Sequence, residues 1–182
     1  MNKKKQRKTD GNYCKFFQQP KDNDSIINVN KLAFKTGYEA KLVNALVDSE
    51  VDTISFVAKK EGDVVGHLLL SRMSVKNGDN ALGLKIFGLA PMAVIPTKQK
   101  QGIGKALIEK AVATAKDENI DAIFVLGHPQ YYPKFKFIPT SDWNITCQYD
   151  VPNEVFMALD ISGGLSKIKG KTVLYSDIFG KI

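Results

Sequence analysis

The stretch from residue 91 to 107 carries the clearest chemistry in the sequence: a strand-like run ends, a glycine-bearing turn follows and a helix-like run begins. Gly102 and Gly104 stand where the first backbone amides of a helix have no internal partner and the helix dipole adds positive potential. Glycines let phosphate oxygens approach the backbone without a Cβ in the way. Lys98, Lys100 and Lys105 add positive charge nearby. The pattern predicts a phosphate-binding turn.

Two common phosphate motifs do not fit this turn. A dinucleotide fingerprint requires Gly-x-Gly-x-x-Gly/Ala, and its third position is Leu107 here. A P-loop requires Gly-x-x-x-x-Gly-Lys-Ser/Thr, whereas Gln99 and Ala106 occupy its first and last positions. On the two glycines alone, a helix that merely begins with Gly-x-Gly stays an open alternative.

Two motifs, in the right order and spacing, resemble the GNAT N-acetyltransferase superfamily. Gln99-x-x-Gly102-x-Gly104 is similar to its acetyl-coenzyme A loop, Gln/Arg-x-x-Gly-x-Gly/Ala. Residues 126–137, LGHPQYYPKFKF, resemble the Leu-Gly-Asp-Pro-x-Tyr-Tyr-x-x-Phe-Gly-Phe segment of its YhbS-like branch. His128 and Lys136 depart from that segment, which usually has Asp and Gly there. The resemblance covers about residues 25–160.

The resemblance implies an α/β (α+β) fold with a mixed, mostly antiparallel sheet of six to seven strands and helices on both faces. It implies acetyl-CoA as cofactor, with the pyrophosphate on the loop amides and the pantetheine arm along the end of the preceding strand. The sheet is expected to splay between that strand and the strand at 122–127, which makes the acyl cleft. The cofactor-binding residues so implied are Met92, Ala93, Val94, Gln99, Lys100, Gln101, Gly102, Ile103, Gly104 and Lys105.

The resemblance also implies that Tyr132 is the general acid that protonates the departing thiolate, as a phenol with a reference pKa near ~10 can do. A packing role for Tyr132 stays the alternative. The strand before the loop carries no carboxylate, which excludes a general base on that strand. Glu39, His67 and His128 remain open as the base. Because His67 lies inside an apolar run, the sequence favours a hydrogen-bonded core histidine there.

Hydrophobic periodicity and turn signals place these motifs on a series of elements. A short strand is predicted at 15–19, and Asp22 or Asp24 is predicted to cap the first helix. The final twenty residues carry no pattern that assigns an element. The predicted helices span 25–35, 39–48 and 102–118; the predicted strands span 53–59, 64–75, 82–95, 122–127 and, near the end, 144–149 and 155–160, with a hairpin turn at 76–80.

The composition fits one globular domain. The chain has 182 residues, of which 43% are hydrophobic and 25% charged, which argues against a disordered chain, a collagen-like repeat or a disulfide scaffold. Cys14 and Cys147 are far apart and the two histidines lack ligand spacing, so no metal site is predicted. The unpaired cysteines favour a reducing, cytoplasmic compartment. No apolar run approaches the ~20 residues that cross a bilayer, so no membrane partner is predicted.

The net charge of +7 is concentrated at one end. Five of the 26 basic residues but only one of the 19 acidic residues lie among the first ten. This pattern predicts a flexible basic tail over 1–14 in front of a single domain at 15–182. A basic tail can contact nucleic acid, but a solvated terminus is the favoured interpretation.

The resulting hypothesis is an acetyl-CoA-dependent N-acetyltransferase that acts on a primary amine of a small molecule or peptide. Direct transfer is favoured because no cysteine lies near the predicted cleft. A non-catalytic acyl-CoA-binding or sensor module on the same fold is the alternative. Monomer and homodimer are equally compatible with the sequence.

Overall fold

The structure is a computed structural model that describes residues 17–76 and 83–182. The predicted basic tail, Cys14 and residues 77–80 of the predicted hairpin turn lie outside the described residues. Within the described ranges, no helix combines the length and apolar character needed to cross a membrane.

In the described part of the chain, nine strands form two sheets. They are β1 (Thr53–Lys60), β2 (Asp63–Arg72), β3 (Ser74–Val75), β4 (Ile86–Val94), β5 (Ala122–Leu126), β6 (Ile138–Pro139), β7 (Thr146–Cys147), β8 (Phe156–Asp160) and β9 (Thr172–Leu174). The main sheet has the order β1-β2-β4-β5-β8-β6, and the small sheet has the order β3-β9-β7. Among the strand pairs of the main sheet, β4 and β5 run parallel and the others antiparallel. The predicted mixed, mostly antiparallel sheet is therefore confirmed.

Helix α3 (Ile103–Asp117) covers one face of the main sheet. Its apolar residues recur at the i, i+4 spacing that places them on one stripe, and Leu107 and Ala111 of this stripe are fully buried. Gly66 of β2 lies under the start of this helix, where an added Cβ would come within 2.9 Å of Ile103. The start of α3 is thereby fixed against the strands that precede it.

Helices α1 (Asn23–Ala33) and α2 (Tyr38–Val47) cover the opposite face. Leu42 and Leu46 of α2 pack with Leu69 of β2, and the C-terminal residues Ile178 and Phe179 join this cluster. The last residues of the chain therefore lie against α2, although their sequence predicted no element.

Several predicted boundaries change at the N-terminal side. The strand predicted at 15–19 is wrong for its described part, because residues 17–19 form no strand. Asp22 occupies the N-cap position of α1 but makes no capping hydrogen bond. Its carboxylate instead accepts a hydrogen bond from the Gln19 amide and pairs with Lys59 of β1. These partners lower the pKa of Asp22 despite its burial.

The parallel seam between β4 and β5 is short. Only residues 86–88 pair with 122–124, and beyond them the strands separate. The closed end of the seam is clamped by Asp121, whose carboxylate accepts hydrogen bonds from the Lys85 amide at 2.7 Å and from the Ser162 hydroxyl. The main sheet is thus joined firmly at one end of this seam and open at the other.

A bulge in β4 lies at the open end. Ala90 and Pro91 together stand opposite Leu69 in a ladder where Leu68 pairs with Met92 and Leu70 pairs with Leu89. Proline suits this position because it has no amide hydrogen to donate to the ladder. The bulge redirects the end of β4 away from β5.

Candidate active site

A cleft of about 990 Å³ occupies the gap between β4 and β5. It extends from the start of α3, through the gap, to α2 and the C-terminal segment on the other face of the sheet. Ala90 and Pro91 line it on one side, and Leu126, Gly127 and His128 on the other. The predicted splay of the sheet is therefore present, and it connects the two faces.

The loop between β4 and α3 is fastened to the strand that precedes it. The Gln99 side chain donates a hydrogen bond to the Val94 carbonyl at 3.1 Å, and the Gln101 side chain donates to the Thr97 carbonyl at 3.2 Å. Gly102 is the N-cap residue of α3 and has φ +85°, a left-handed conformation that glycine adopts without strain. The residues at the start of α3, Gly102 to Lys105, line the cleft.

Position 104 favours glycine because the Tyr131 side chain comes close to its backbone. A Cβ added there would lie 2.7 Å from the hydroxyl oxygen of Tyr131, and both residues line the cleft. The Tyr131 ring packs edge-on against Tyr132 and Phe135, each with centroids 5.4 Å apart. The loop glycine and the aromatic segment predicted after β5 thus meet at the start of α3.

The outer edge of β4 is open toward the cleft. The Ile95 amide donates to the Val65 carbonyl of β2, so Ile95 directs its backbone groups to the inner side. Because successive residues of a strand alternate, Val94 and Met92 direct theirs to the outer side. The Val94 carbonyl there already accepts from Gln99. The backbone groups of Met92 and the Val94 amide therefore remain, without a partner among the described residues, on the edge that borders the gap.

Most of the predicted cofactor-binding residues share the cleft. Ala93 and Gln101 are the two of the ten that do not line it: Ala93 is buried opposite His67, and Gln101 turns back onto the loop. The residues that line the cleft are Met92, Val94, Gln99, Lys100, Gly102, Ile103, Gly104 and Lys105.

Tyr132 lies at the open end of the seam, on the side of β5. Its ring occupies the space that a side chain at Gly127 would fill, so an added Cβ at Gly127 would overlap it. The ring also packs edge-on against Phe137, and only 7% of the residue is exposed. Burial raises the pKa of Tyr132, which keeps its hydroxyl protonated well above neutral pH.

Two of the three predicted base candidates line the cleft. Glu39 stands in the first turn of α2 and accepts a hydrogen bond from the Thr36 hydroxyl at 3.2 Å. His128 follows β5, and its carbonyl accepts a hydrogen bond from the Tyr131 amide at 3.0 Å. Both side chains border the same cavity as Tyr132.

His67 lies elsewhere, on the side of the sheet that α1 covers. It is fully buried, its Nδ1 accepts from Asn30 at 3.1 Å, and its Nε2 therefore donates to the Ser55 hydroxyl at 3.0 Å. Asn30 also donates to the Ile26 carbonyl, which fixes its amide orientation. His67 does not line the cleft, so its candidacy as a base is corrected to a core role.

This burial makes His67 a source of acid sensitivity. Burial lowers its pKa from an ordinary 6.5 to about 3, so between those values the unfolded chain binds the proton and the folded chain does not. Stability is therefore lost as the pH falls from 6.5 toward 3. At pH 5 the expected loss is roughly 2 kcal/mol, from about 1.4 kcal/mol per pH unit.

We expect His67→Gln to remove most of this pH dependence, because glutamine stays neutral and can still hydrogen-bond. Urea unfolding at pH 7 and pH 5 measures it, and His128→Gln is the matched control for the other histidine. An equal stability loss in wild type and His67→Gln between those pH values contradicts the prediction.

The part of the cleft on the α2 side of the main sheet contains residues that the sequence did not indicate. Tyr175 and Phe179 of the C-terminal segment line it together with Tyr38 of α2 and Tyr149. The Tyr38 hydroxyl donates to the Phe179 carbonyl, across 141 residues of sequence. No local pattern signals such a pairing. Cys147, by contrast, does not line the cleft.

Known proteins match the region of the chain that contains these elements. The profile of the acetyltransferase (GNAT) family matches residues 24–133. The chain is 35% identical to the uncharacterized N-acetyltransferase YjhQ of Escherichia coli K12 over 136 residues, 73% of this chain and 74% of that protein. It is 28% identical to the uncharacterized N-acetyltransferase YhbS of the same strain over 138 residues, 75% and 80% of the two chains.

Solved structures resemble the whole described fold. The crystal structure of YhbS from Escherichia coli in complex with CoA superposes with a TM-score of 0.86 at 25% identity and covers 96% of each chain. A GNAT family acetyltransferase from Brucella melitensis in complex with acetyl-CoA has a TM-score of 0.71 at 25% identity, covering 92% of this chain and 97% of that one.

Proposed function

Since this chain belongs to the acetyltransferase (GNAT) family, we propose that it transfers an acetyl group from acetyl-CoA directly to a primary amine. One observation carries the proposal: the gap between β4 and β5 places the amides of α3, the open edge of β4 and Tyr132 on a single cleft. A single domain over 15–182 is the proposed catalytic unit.

The residues around the loop suit a coenzyme A group. The unpaired amides at the start of α3 and the side chains of Lys98 and Lys100 would hold the pyrophosphate. The outer edge of β4 at Met92 and Val94 would pair with the amide-containing pantetheine arm, as an added strand pairs with a sheet edge. The solved relatives with CoA or acetyl-CoA support this assignment.

Acetyl-CoA, when bound, supplies the acetyl group as a thioester. The cleft holds the acceptor beside it, and this positioning accounts for much of the rate. A backbone N–H on the outer edge of β4 near Val94 would donate a hydrogen bond to the thioester carbonyl oxygen as negative charge develops there. As the new carbon–nitrogen bond forms and the carbon–sulfur bond breaks, Tyr132 Oη would donate its proton to the departing sulfur. The proton lost from the amine goes to a base or to water.

The base is proposed to be Glu39 or His128, and a pair of variants separates them. Replacing the true base with glutamine should lower kcat/KM by about 10²–10⁴ and remove the acidic limb of its pH profile. We expect this result for one of Glu39→Gln and His128→Gln, with a near wild-type profile for the other. Unchanged profiles in both variants would contradict a side-chain base and leave water as the proton acceptor.

The function is tested by calorimetric titration with acetyl-CoA, with NAD and ATP as control ligands, followed by thiol release in the presence of amines. Selective acetyl-CoA binding with amine-dependent thiol release is the expected result. Selective binding without release for any amine would point to the non-catalytic acyl-CoA-binding module. No binding would overturn the proposed cofactor.

A further inference from the structure

The part of the cleft on the α2 side of the main sheet is here called the acceptor end. Its walls come from the end of α1, the start of α2 and two late segments near residues 150 and 177. Three aromatic rings lie next to one another in it: the Tyr175 ring centroid is 5.0 Å from that of Phe179 and 6.1 Å from that of Tyr149. Its apolar and aromatic lining residues are Phe34, Tyr38, Leu42, Tyr149, Val151 and Phe179.

The described lining of the acceptor end carries a single carboxylate. Among the described residues that line the cleft, Glu39 is the one acidic side chain. The lining lysines, Lys98, Lys100 and Lys105, belong to the loop and the start of α3, at the opposite end. One ammonium group therefore has an ionic partner, whereas a second ammonium or a carboxylate on the acceptor has none.

A contact between α2 and the C-terminal segment borders the acceptor end on one side. The Tyr38 hydroxyl donates to the Phe179 carbonyl and so ties α2 to the C-terminal segment. Phe179 also packs against the cluster of Leu42, Leu46 and Leu69. This contact limits the space on that side of the cleft, which favours a compact occupant.

A buried hydroxyl borders the gap itself. Tyr175 is 3% exposed, and its ring fills the space above Gly88, where β4 and β5 begin to separate. Its hydroxyl lies beside the backbone of Leu126 but makes no hydrogen bond of ordinary geometry with any residue that the structure describes. Buried hydroxyls usually have a partner, but this one is closed off from the cleft, so only the ring of Tyr175 faces a ligand there.

From these contacts we infer that the acceptor is a compact primary monoamine with an apolar body, such as an arylalkylamine or alkylamine. Its body packs among the rings of the acceptor end, and its ammonium enters beside Glu39. The inference rests on the proposed function and names the substrate class of the same site.

The test compares amines at saturating acetyl-CoA by thiol release. The n-alkylamines from propyl to hexyl should gain about threefold to fourfold in kcat/KM per methylene, which corresponds to burial of one CH₂. Phenethylamine should exceed phenylalanine, which adds a carboxylate to the same body, by at least about tenfold. Spermidine, an aminoglycoside and a lysine-containing peptide should all fall below phenethylamine.

Two variants test whether the acceptor end causes this selectivity among amines. Phe179→Ala keeps the carbonyl that binds Tyr38 and should flatten the alkylamine series. Tyr175→Phe is the matched control: it keeps the ring above Gly88 and removes only a buried hydroxyl, so kcat/KM for phenethylamine should stay near the wild-type value. Calorimetry should give an unchanged acetyl-CoA Kd for both variants, which separates these effects from general damage.

The outcomes are distinguishable. A polyamine, aminoglycoside or peptide lysine acetylated faster than every monoamine overturns the inference and leaves the acetyltransferase function intact. Acetyl-CoA binding with no acetylation of any amine overturns both. A steep alkylamine series that survives Phe179→Ala overturns the assignment to the acceptor end.

Discussion

Replacing Tyr132 with phenylalanine is expected to lower kcat by about 10²–10⁴, the range typical for loss of a general acid. The change removes one oxygen and keeps the ring that packs against Gly127 and Phe137. Because the loop amides and the edge of β4 are untouched, the Kd for acetyl-CoA should stay near the wild-type value. Thiol release measures kcat, and calorimetry measures the Kd.

Tyr131→Phe is the matched control, since it removes a neighbouring hydroxyl of the same chemistry. That hydroxyl lies beside Gly104 at the start of α3, away from the end of β5 that carries Tyr132. We expect Tyr131→Phe to alter acetyl-CoA affinity more than kcat. A wild-type kcat in Tyr132→Phe would give this residue a packing role. A large kcat loss confined to Tyr131→Phe would move the acid to the neighbouring position.

The second large effect is expected for Gly104→Glu, which should weaken acetyl-CoA binding by about 10²–10³-fold. Its Cβ would lie 2.7 Å from the Tyr131 hydroxyl, and its carboxylate would repel the pyrophosphate at the start of α3. Hydrogen bonds to charged groups contribute about 1.5–3 kcal/mol each, so losing one or two accounts for this range. Calorimetric titration with acetyl-CoA measures the change.

Gly104→Gln separates charge from shape in this prediction. Glutamine has nearly the size of glutamate but no charge, so it should weaken binding by less, and the difference reports the repulsion. An acidic residue in the first turn favours an isolated helix, so Gly104→Glu should still fold. A folded Gly104→Glu that binds acetyl-CoA as tightly as wild type would exclude this loop as the pyrophosphate site.

Local patterns predicted the elements that carry the donor side of the cleft. The apolar stripe of the helix at 102–118 gave α3 to within a residue at each end, and the apolar run at 122–127 gave β5. These elements are long or strongly periodic, so their local preference agrees with their packing. The strand at 64–75 was predicted as one element but divides at Met73 into β2 and β3.

The acceptor end was beyond reach of such patterns. Its residues come from α1, α2 and the last forty residues of the chain, and they meet through tertiary contacts such as that between Tyr38 and Phe179. Asp22 is a smaller example of a tertiary contact that local patterns cannot predict. The local sequence predicted that its carboxylate caps a helix, but the carboxylate pairs with Lys59 instead. His67 was predicted to favour the core, and the contact with Asn30 explains why.

The short seam between β4 and β5 is the point from which the two strands diverge. Val94 lies six residues beyond Gly88, the last paired residue of β4, or about 20 Å at ~3.3 Å per residue. At that distance, a rotation of β4 by about 3° about the seam would displace Val94 by about 1 Å. A displacement of this size can lower the rate of a positioned reaction by ~10²-fold. Because β4 is also paired with β2 as far as Val94, the β2 ladder and the Asp121 contacts together fix the position on which the chemistry depends, although Asp121 does not line the cleft.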